Sequence, residues 1–219
     1  MNLTAVQEAI QSVRDYYNER GIFQKKFGFG KKPALIIIDM AYGWTDPEYA
    51  AGSARLDGAV EGIQRLLPVC RAKGVSIIYT TKSFRKDGYG PMSSHPESGV
   101  KYRAIDARAY DIDARLKPEK GDFIIYKENA SAFFGTHLVS YLVERGVDTL
   151  IVTGCSTSAC VRGTVADARA YRFKPIIPRQ CVQDRAAAAH EWNLFDIARF
   201  GDVVDVAEVI DYLTKLKDN

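Results

Sequence analysis

The sequence predicts an α/β fold of three layers, α/β/α, around a six-stranded parallel sheet in the order 3-2-1-4-5-6. Three observations carry this. Short runs such as residues 34–38 are continuously apolar, without the alternation of a half-exposed strand, as parallel strands buried on both faces require. These runs alternate with segments of helical periodicity, the pattern of a doubly wound sheet. The 219 residues, 47% hydrophobic, contain no internal repeat or low-complexity tract, so one domain accounts for the length.

Taken in order, Thr4 to Glu19 reads as a helix with Val6, Ile10, Val13 and Tyr17 along one side. It belongs to an arm over residues 1–26 that the sheet does not obviously need; the main domain spans 27–219. Pro33 to Asp39 is the first strand, ending in a carboxylate. Leu56 to Lys73 is the first crossover helix, closed by Gly74. Val75 to Thr81 is the second strand. Lys82 to Lys120 is long, irregular and rich in Gly, Pro, Ser and charge, either a lid over the strand ends or a plain insertion. Asp122 to Lys127 is the third strand and Thr136 to Arg145 its helix. Leu150 to Val152 is the fourth, turning through the small residues Gly154 to Ala159 into a helix that starts at Cys160. Lys174 to Pro178, a helix over Ala186 to Phe200, a short strand at Asp202-Val-Val and a helix over Ala207 to Lys217 complete the chain.

Composition excludes several classes. The formal charge of +3 is spread along the chain without a run of five or six like charges, so no nucleic-acid partner is expected. No apolar run is long enough to span a membrane, and Asn2 to Arg20 is too polar for a signal-peptide core. The four cysteines (Cys70, Cys155, Cys160, Cys181) form no CxxC pair, so zinc and thioredoxin-type readings lack their signature. A reducing, cytoplasmic location is the default expectation.

Ligands of open parallel sheets bind beyond the carboxyl ends of the strands, where the strand order reverses. Three strands end there in reactive residues: Asp39, Lys127 and Cys160. Each alone has an ordinary explanation: a small buried apolar residue, a turn carboxylate, a solvated lysine. Together they make a nucleophile, a base and a cation. At a helix N-terminus and near Lys127, Cys160 is expected to have its thiolate stabilised. Asp39 takes the thiol proton and later delivers it to a leaving amine, and backbone amides around Ser156 and Cys160 receive the developing oxyanion. In the predicted order Asp39 and Cys160 flank the crevice, whereas Lys127 must reach back over the second strand.

Three segments, Ala34-Leu-Ile-Ile-Ile-Asp39, Lys127-Glu-Asn-Ala-Ser-Ala-Phe-Phe-Gly-Thr136 and Val152-Thr-Gly-Cys-Ser-Thr-Ser-Ala-Cys160-Val-Arg, resemble the signature of the isochorismatase-like cysteine hydrolases. Ile176 to Arg185 and Trp192 to Ile197 resemble, more narrowly, the branch acting on N-carbamoylsarcosine, biuret, triuret and maleamate. The resemblance implies an Asp39, Lys127, Cys160 triad acting through a thioester, with a non-proline cis peptide between Cys155 and Ser156. It also implies a homodimer or homotetramer, and a carboxylate-binding role for Arg185; the alternative for Arg185 is a surface salt bridge with Asp184. The nicotinamidase branch carries an Asp-x-His metal site after the first strand. Here His95 is the only histidine between Asp39 and Lys127, so neither a catalytic metal nor another cofactor is expected. The presence of Cys160 points to amide rather than vinyl-ether cleavage, because isochorismatase proper lacks that cysteine.

Around this centre, Tyr42 and Trp44 either wall a small planar substrate or pack under a loop. Lys82, Ser83 and Arg85 follow the second strand and supply polar contacts or plain solvated charge. Gln180 and Gln183 are candidates to bond a neutral amide. Cys70, Cys155 and Cys181 read as structural, and His137 and His190 as satisfied polar residues on helices. The expected activity is release of ammonia from a small linear carbamoyl or ureide compound, with a maleamate-type amidase as the alternative. A catalytically silent binding protein on this scaffold is the competitor from another class. A nucleotide-binding protein would need a glycine-rich phosphate loop after the first strand, which Asp39-Met-Ala-Tyr-Gly-Trp is not.

Overall fold

The computed structural model describes residues 3–82 and 106–217. The N-terminal helix α1 (Leu3–Arg20) precedes strand β1 (Pro33–Ile38), the short helix α2 (Tyr42–Thr45), the crossover helix α3 (Asp57–Ala72) and β2 (Ser76–Thr81). Then come β3 (Phe123–Tyr126), α4 (Leu138–Glu144), β4 (Thr149–Cys155), α5 (Arg162–Ala170) and β5 (Lys174–Pro178). The two-residue β6 (Val182–Gln183), α6 (Ala187–Ile197), β7 (Asp202–Val204) and α7 (Val206–Thr214) follow.

The main strands pair in parallel in the order β3-β2-β1-β4-β5-β7, so the predicted architecture holds, with β7 as the sixth strand. An additional parallel pairing sets β6 against the end of β4, Gly154 beside Val182 and Cys155 beside Gln183. Two residues are too few to show periodicity, which is why the sequence did not reveal this strand.

Every residue of β1 is buried. Its alternate side chains divide the core. Leu35 and Ile37 join a cluster with Val60, Ile63 and Leu66 of α3 and Val209 and Leu213 of α7. Ala34, Ile36 and Ile38 join the opposite cluster with Leu138 and Leu142 of α4 and Val165 and Ala168 of α5. A strand between two apolar layers must itself be apolar throughout, hence the unbroken run. Helix α1 lies outside this core and rests on α6, where Tyr17 stacks on Phe195 with ring centroids 6.2 Å apart.

Two local expectations are corrected. The fourth strand does not stop at Val152: β4 runs to Cys155, because Thr153 Oγ1 donates to Ile36 O and Gly154 continues the ladder beside Ile38. Gly154 has φ +101°, and a Cβ there would lie 2.1 Å from Ile38 O, so only glycine fits. Nor does Cys160 open an α-helix. Thr157–Val161 is a π-helical turn, with the Val161 N–H on Ser156 O at 3.2 Å, and α5 begins only at Arg162.

Candidate active site

The strand order reverses between β1 and β4, and the carboxyl ends of these two neighbours carry Asp39 and the turn to Cys160. Asp39 has φ +51°, a left-handed conformation that aspartate tolerates better than most residues. Its N–H bonds Thr80 O and Thr80 Oγ1, both at 3.1 Å, and the Thr80 hydroxyl donates to Asp39 Oδ1 at 2.7 Å. The neighbouring strand β2 thus fixes the carboxylate.

Lys127 follows β3, with its N–H bonded to Thr81 O, and reaches over the end of β2 as anticipated. Its Nζ lies 2.6 Å from Asp39 Oδ2, 3.0 Å from Asn129 O and 3.4 Å from Cys160 Sγ. The structure therefore brings Asp39, Lys127 and Cys160 together. The Lys127 and Asp39 side chains are 0% and 3% exposed, a buried ion pair in contact with a half-buried thiol. Burial pulls the Lys127 ammonium down, but the charges of Asp39 and Cys160 outweigh it and hold its pKa above the ordinary value.

The expectation of a stabilised thiolate is overturned. Burial, then the Asp39 charge, push the Cys160 thiol up to about 12, and Lys127 opposes them without prevailing. The physical reason is burial first and the Asp39 carboxylate second, which together outweigh the Lys127 ammonium. At neutral pH the sulfur keeps its proton, with a carboxylate beside it.

Ser156 is joined to Cys155 by a non-proline cis peptide, as the resemblance implies. Arg185 is exposed, and its Nη2 donates to Ser156 Oγ at 3.1 Å; Asp184 instead binds Ser158, so the Asp184–Arg185 salt bridge is replaced by a contact at the nucleophile turn. Lys82 is half-buried. Burial and then Lys127 lower its pKa, against the pull of Asp39, Cys160 and Glu128, which places it within electrostatic reach of the triad.

The remaining candidates are drawn elsewhere. Gln180 is committed to the start of α7: its Nε2 donates to Asp205 Oδ1 and its Oε1 accepts the Val206 N–H, both at 2.9 Å. Gln183 Oε1 accepts the Asp184 N–H at 2.9 Å and Arg55 Nη2 at 3.4 Å. Tyr42 accepts the Ala114 N–H on its hydroxyl at 3.1 Å and carries the Arg108 guanidinium 4.2 Å above its ring, while the Trp44 ring lies 6.1 Å from Tyr110. Both aromatics have the contacts of loop packing. Ser83, Arg85 and His95 lie outside the described residues, as does most of the segment 82–120. Among the described residues no three His, Cys, Asp or Glu side chains group as a metal site, and no helix is long and apolar enough to cross a membrane.

Sequence reasoning missed the roles of Thr80, Thr157, Ser158 and Asp184, while His190 is a satisfied polar residue on a helix, as expected. Thr157 Oγ1 and His190 Nδ1 are 2.9 Å apart, and burial lowers the His190 pKa, which favours a neutral ring. Thr80 left no distinguishing signal, because β2 also carries the hydroxyls of Ser76, Tyr79 and Thr81. For the others, partners 26 to 33 residues apart meet only in the fold.

Comparison with known proteins shows the family. The chain is 39% identical over 219 residues to N-carbamoylsarcosine amidase of Arthrobacter sp., covering 96% of this chain and 82% of that protein. It is 34% identical over 215 residues to maleamate amidohydrolase of Pseudomonas putida, covering 94% and 97%. Among solved structures, a cysteine hydrolase from Pseudomonas syringae pv. phaseolicola superposes with a TM-score of 0.77 at 29% identity, covering 85% of this chain and 94% of that one. The isochorismatase domain model matches residues 33–208, and the chain belongs to the isochorismatase family.

Proposed function

We propose that this chain is a cysteine-dependent amidohydrolase that cleaves a C–N bond of a small linear carbamoyl compound and releases ammonia. The observation that carries the reading is the buried contact of Lys127 Nζ with both Asp39 Oδ2 (2.6 Å) and Cys160 Sγ (3.4 Å). A protonated thiol needs a base at hand, and Asp39 is the one adjacent to it.

In this mechanism Asp39 takes the Cys160 proton as sulfur attacks the carbonyl carbon. Lys127 balances the growing negative charge at sulfur and holds the carboxylate in place. The developing oxyanion is received by the amides of Ser156 and Cys160. Nearby amides are already committed: Ser158 donates to Asp184, and Ala159 and Val161 to Ser156 O. Asp39 returns its proton to the leaving nitrogen, ammonia departs, and an acyl-sulfur ester remains. Water, deprotonated by Asp39, then hydrolyses that ester and regenerates the thiol.

Two cations, Arg185 and Lys82, flank this centre and suit a substrate that carries a carboxylate. Guanidinium binds such a group in a bidentate manner. N-carbamoyl amino acids therefore fit better than neutral biuret or triuret. Maleamate also carries a carboxylate, and the similarity to maleamate amidohydrolase keeps a maleamate-type activity as the second reading.

An ammonia-release screen over N-carbamoylsarcosine, biuret, triuret, maleamate and nicotinamide tests this, with Cys160→Ala as control. The expected result is turnover of a carboxylate-bearing carbamoyl compound that disappears in Cys160→Ala. Undiminished turnover by that variant would remove the cysteine from the mechanism, and silence on every compound would favour a binding protein.

A further inference from the structure

Besides the contact of Cys160 with Lys127, the turn that carries the cysteine is held by one neighbouring segment. Three consecutive side chains of the turn are tied to residues 184–190: Ser156 to Arg185, Thr157 to His190 and Ser158 to Asp184. The last tie differs in kind. Asp184 is 3% exposed, and its Oδ2 accepts both the Ser158 N–H at 2.9 Å and the Ser158 hydroxyl at 2.6 Å. Hydrogen bonds to a buried ionised carboxylate are about twice as strong as neutral ones. A buried carboxylate is also costly to leave without such donors.

The short strand β6 acquires a purpose from this contact. Its ladder with Gly154 and Cys155 ends one residue before Asp184. Arg55 fastens the same place, with Nε on Asp184 O at 3.3 Å and Nη2 on Gln183 Oε1 at 3.4 Å. The carboxylate is thus registered against the backbone that leads into the turn. Five residues in π-helical geometry have few internal bonds of their own, and such turns occur mostly where function keeps them. External bonds set their shape.

We propose that Asp184 is a positioning residue for the oxyanion hole. By gripping Ser158 it fixes how the Ser156 and Cys160 amides, on either side, face the carbon attacked by sulfur. The proposal rests on the hydrolase reading of the site. It makes a distinction that plain structural support does not. Loss of Asp184 should harm reactions in which a carbonyl oxygen gains negative charge, and should spare reactions of the same sulfur in which none does.

The test uses the full chain, with and without Asp184→Asn, and needs no knowledge of the substrate. Propionaldehyde adds reversibly to Cys160: the S–C bond forms as the C=O π bond opens, the thiol proton passes to Asp39, and the carbonyl oxygen is left negative in the oxyanion hole. Its affinity is read as protection of Cys160 against iodoacetamide, followed by mass spectrometry. Iodoacetamide alkylation forms an S–C bond with loss of iodide and a proton, and develops no oxyanion. Asp184→Asn is expected to weaken aldehyde protection about tenfold, less than the roughly 10²–10³ that outright removal of an oxyanion-hole donor costs, because the donors are misplaced and not lost. The alkylation rate without aldehyde should stay the same. Unchanged aldehyde affinity, or a parallel fall in both, would overturn the assignment. If Asp184→Asn does not fold, Ser158→Ala decides: it removes one of the two bonds, so a smaller loss of aldehyde affinity at constant alkylation supports the role, and no loss overturns it. Ammonia release by the unaltered chain is measured alongside. Its absence would sink the hydrolase reading while the aldehyde and alkylation comparison still reports on Asp184.

Discussion

The two ends of the sheet handle charge in opposite ways. At the amino end, Lys31, Lys32, Lys73, Arg145, Lys215 and Lys217 line a cleft of about 740 Å³ with Glu144 as the only acid among its lining residues. The cleft is large and its charges are many, yet Lys215 is tied to Asp211 and Arg145 to Glu144 in exposed pairs of the kind that contribute little. At the carboxyl end one carboxylate, one ammonium and one thiol are packed within hydrogen-bond reach, the ion pair almost wholly buried. Chemistry follows the second arrangement. Low dielectric and short distance shift proton affinities there, whereas cavity size and charge count do not.

That contrast can be broken by mutation. The largest expected effect is at Cys160. Cys160→Ala should reduce amide turnover to background while the fold, measured by thermal melting, persists. Next is Lys127→Met, which leaves Asp39 buried without its cation; a loss of stability of about 3–5 kcal/mol is expected in denaturant titrations, together with loss of turnover. Combining it with Asp39→Asn should recover part of that stability, since the uncompensated charge is then gone.

Arg185→Ala should raise KM for carboxylate-bearing substrates by roughly tenfold, in line with about 1.5–3 kcal/mol for a hydrogen bond to a charged group. A neutral ureide such as biuret should be spared, and an equal loss on both would give Arg185 another role. At the amino end, Lys31→Ala and Lys32→Ala should change stability by less than about 0.5 kcal/mol and leave kcat/KM unaltered. A large effect there would erase the difference between the two ends.

The pH dependence of stability sharpens the same point. Burial raises the thiols of Cys70, Cys160 and Cys181 from 9.0 to about 12, and that of Cys155 upward as well. The unfolded chain sheds these protons first, so stability should decline as pH rises above 9. Lys127 acts in the same sense: its raised pKa contributes stability below 10.5 that is lost once pH passes the folded value. His190 works on the acid side. Its pKa is lowered from 6.5, so the unfolded chain gains a proton that the fold refuses, and stability should fall below pH 6.5. Melting temperature against pH should therefore be highest between about 6.5 and 9, and Cys160→Ala should flatten part of the alkaline decline.

Much of this was legible in the sequence, for identifiable reasons. Residues 34–38 announce a doubly buried strand because both faces of β1 meet apolar layers, and the positions of Asp39, Lys127 and Cys160 at strand ends mark the crevice. What was not legible depends on contacts across the chain. The bond from Val161 to Ser156 that makes the turn π-helical has no periodic signature, and the proton affinity of Cys160 depends first on how deeply the fold buries it and then on the nearby Asp39 charge. Gln180 looked like a substrate ligand only because its engagement with Asp205 and Val206 lies 25 and 26 residues away.

The most direct test of the central claim is rapid acid quenching during turnover of N-carbamoylsarcosine, with peptide mapping by mass spectrometry. The account predicts an acyl group, with ammonia already lost, on the peptide containing Cys160 and on no other. Label carried by a different residue, or full turnover by Cys160→Ala, would contradict it.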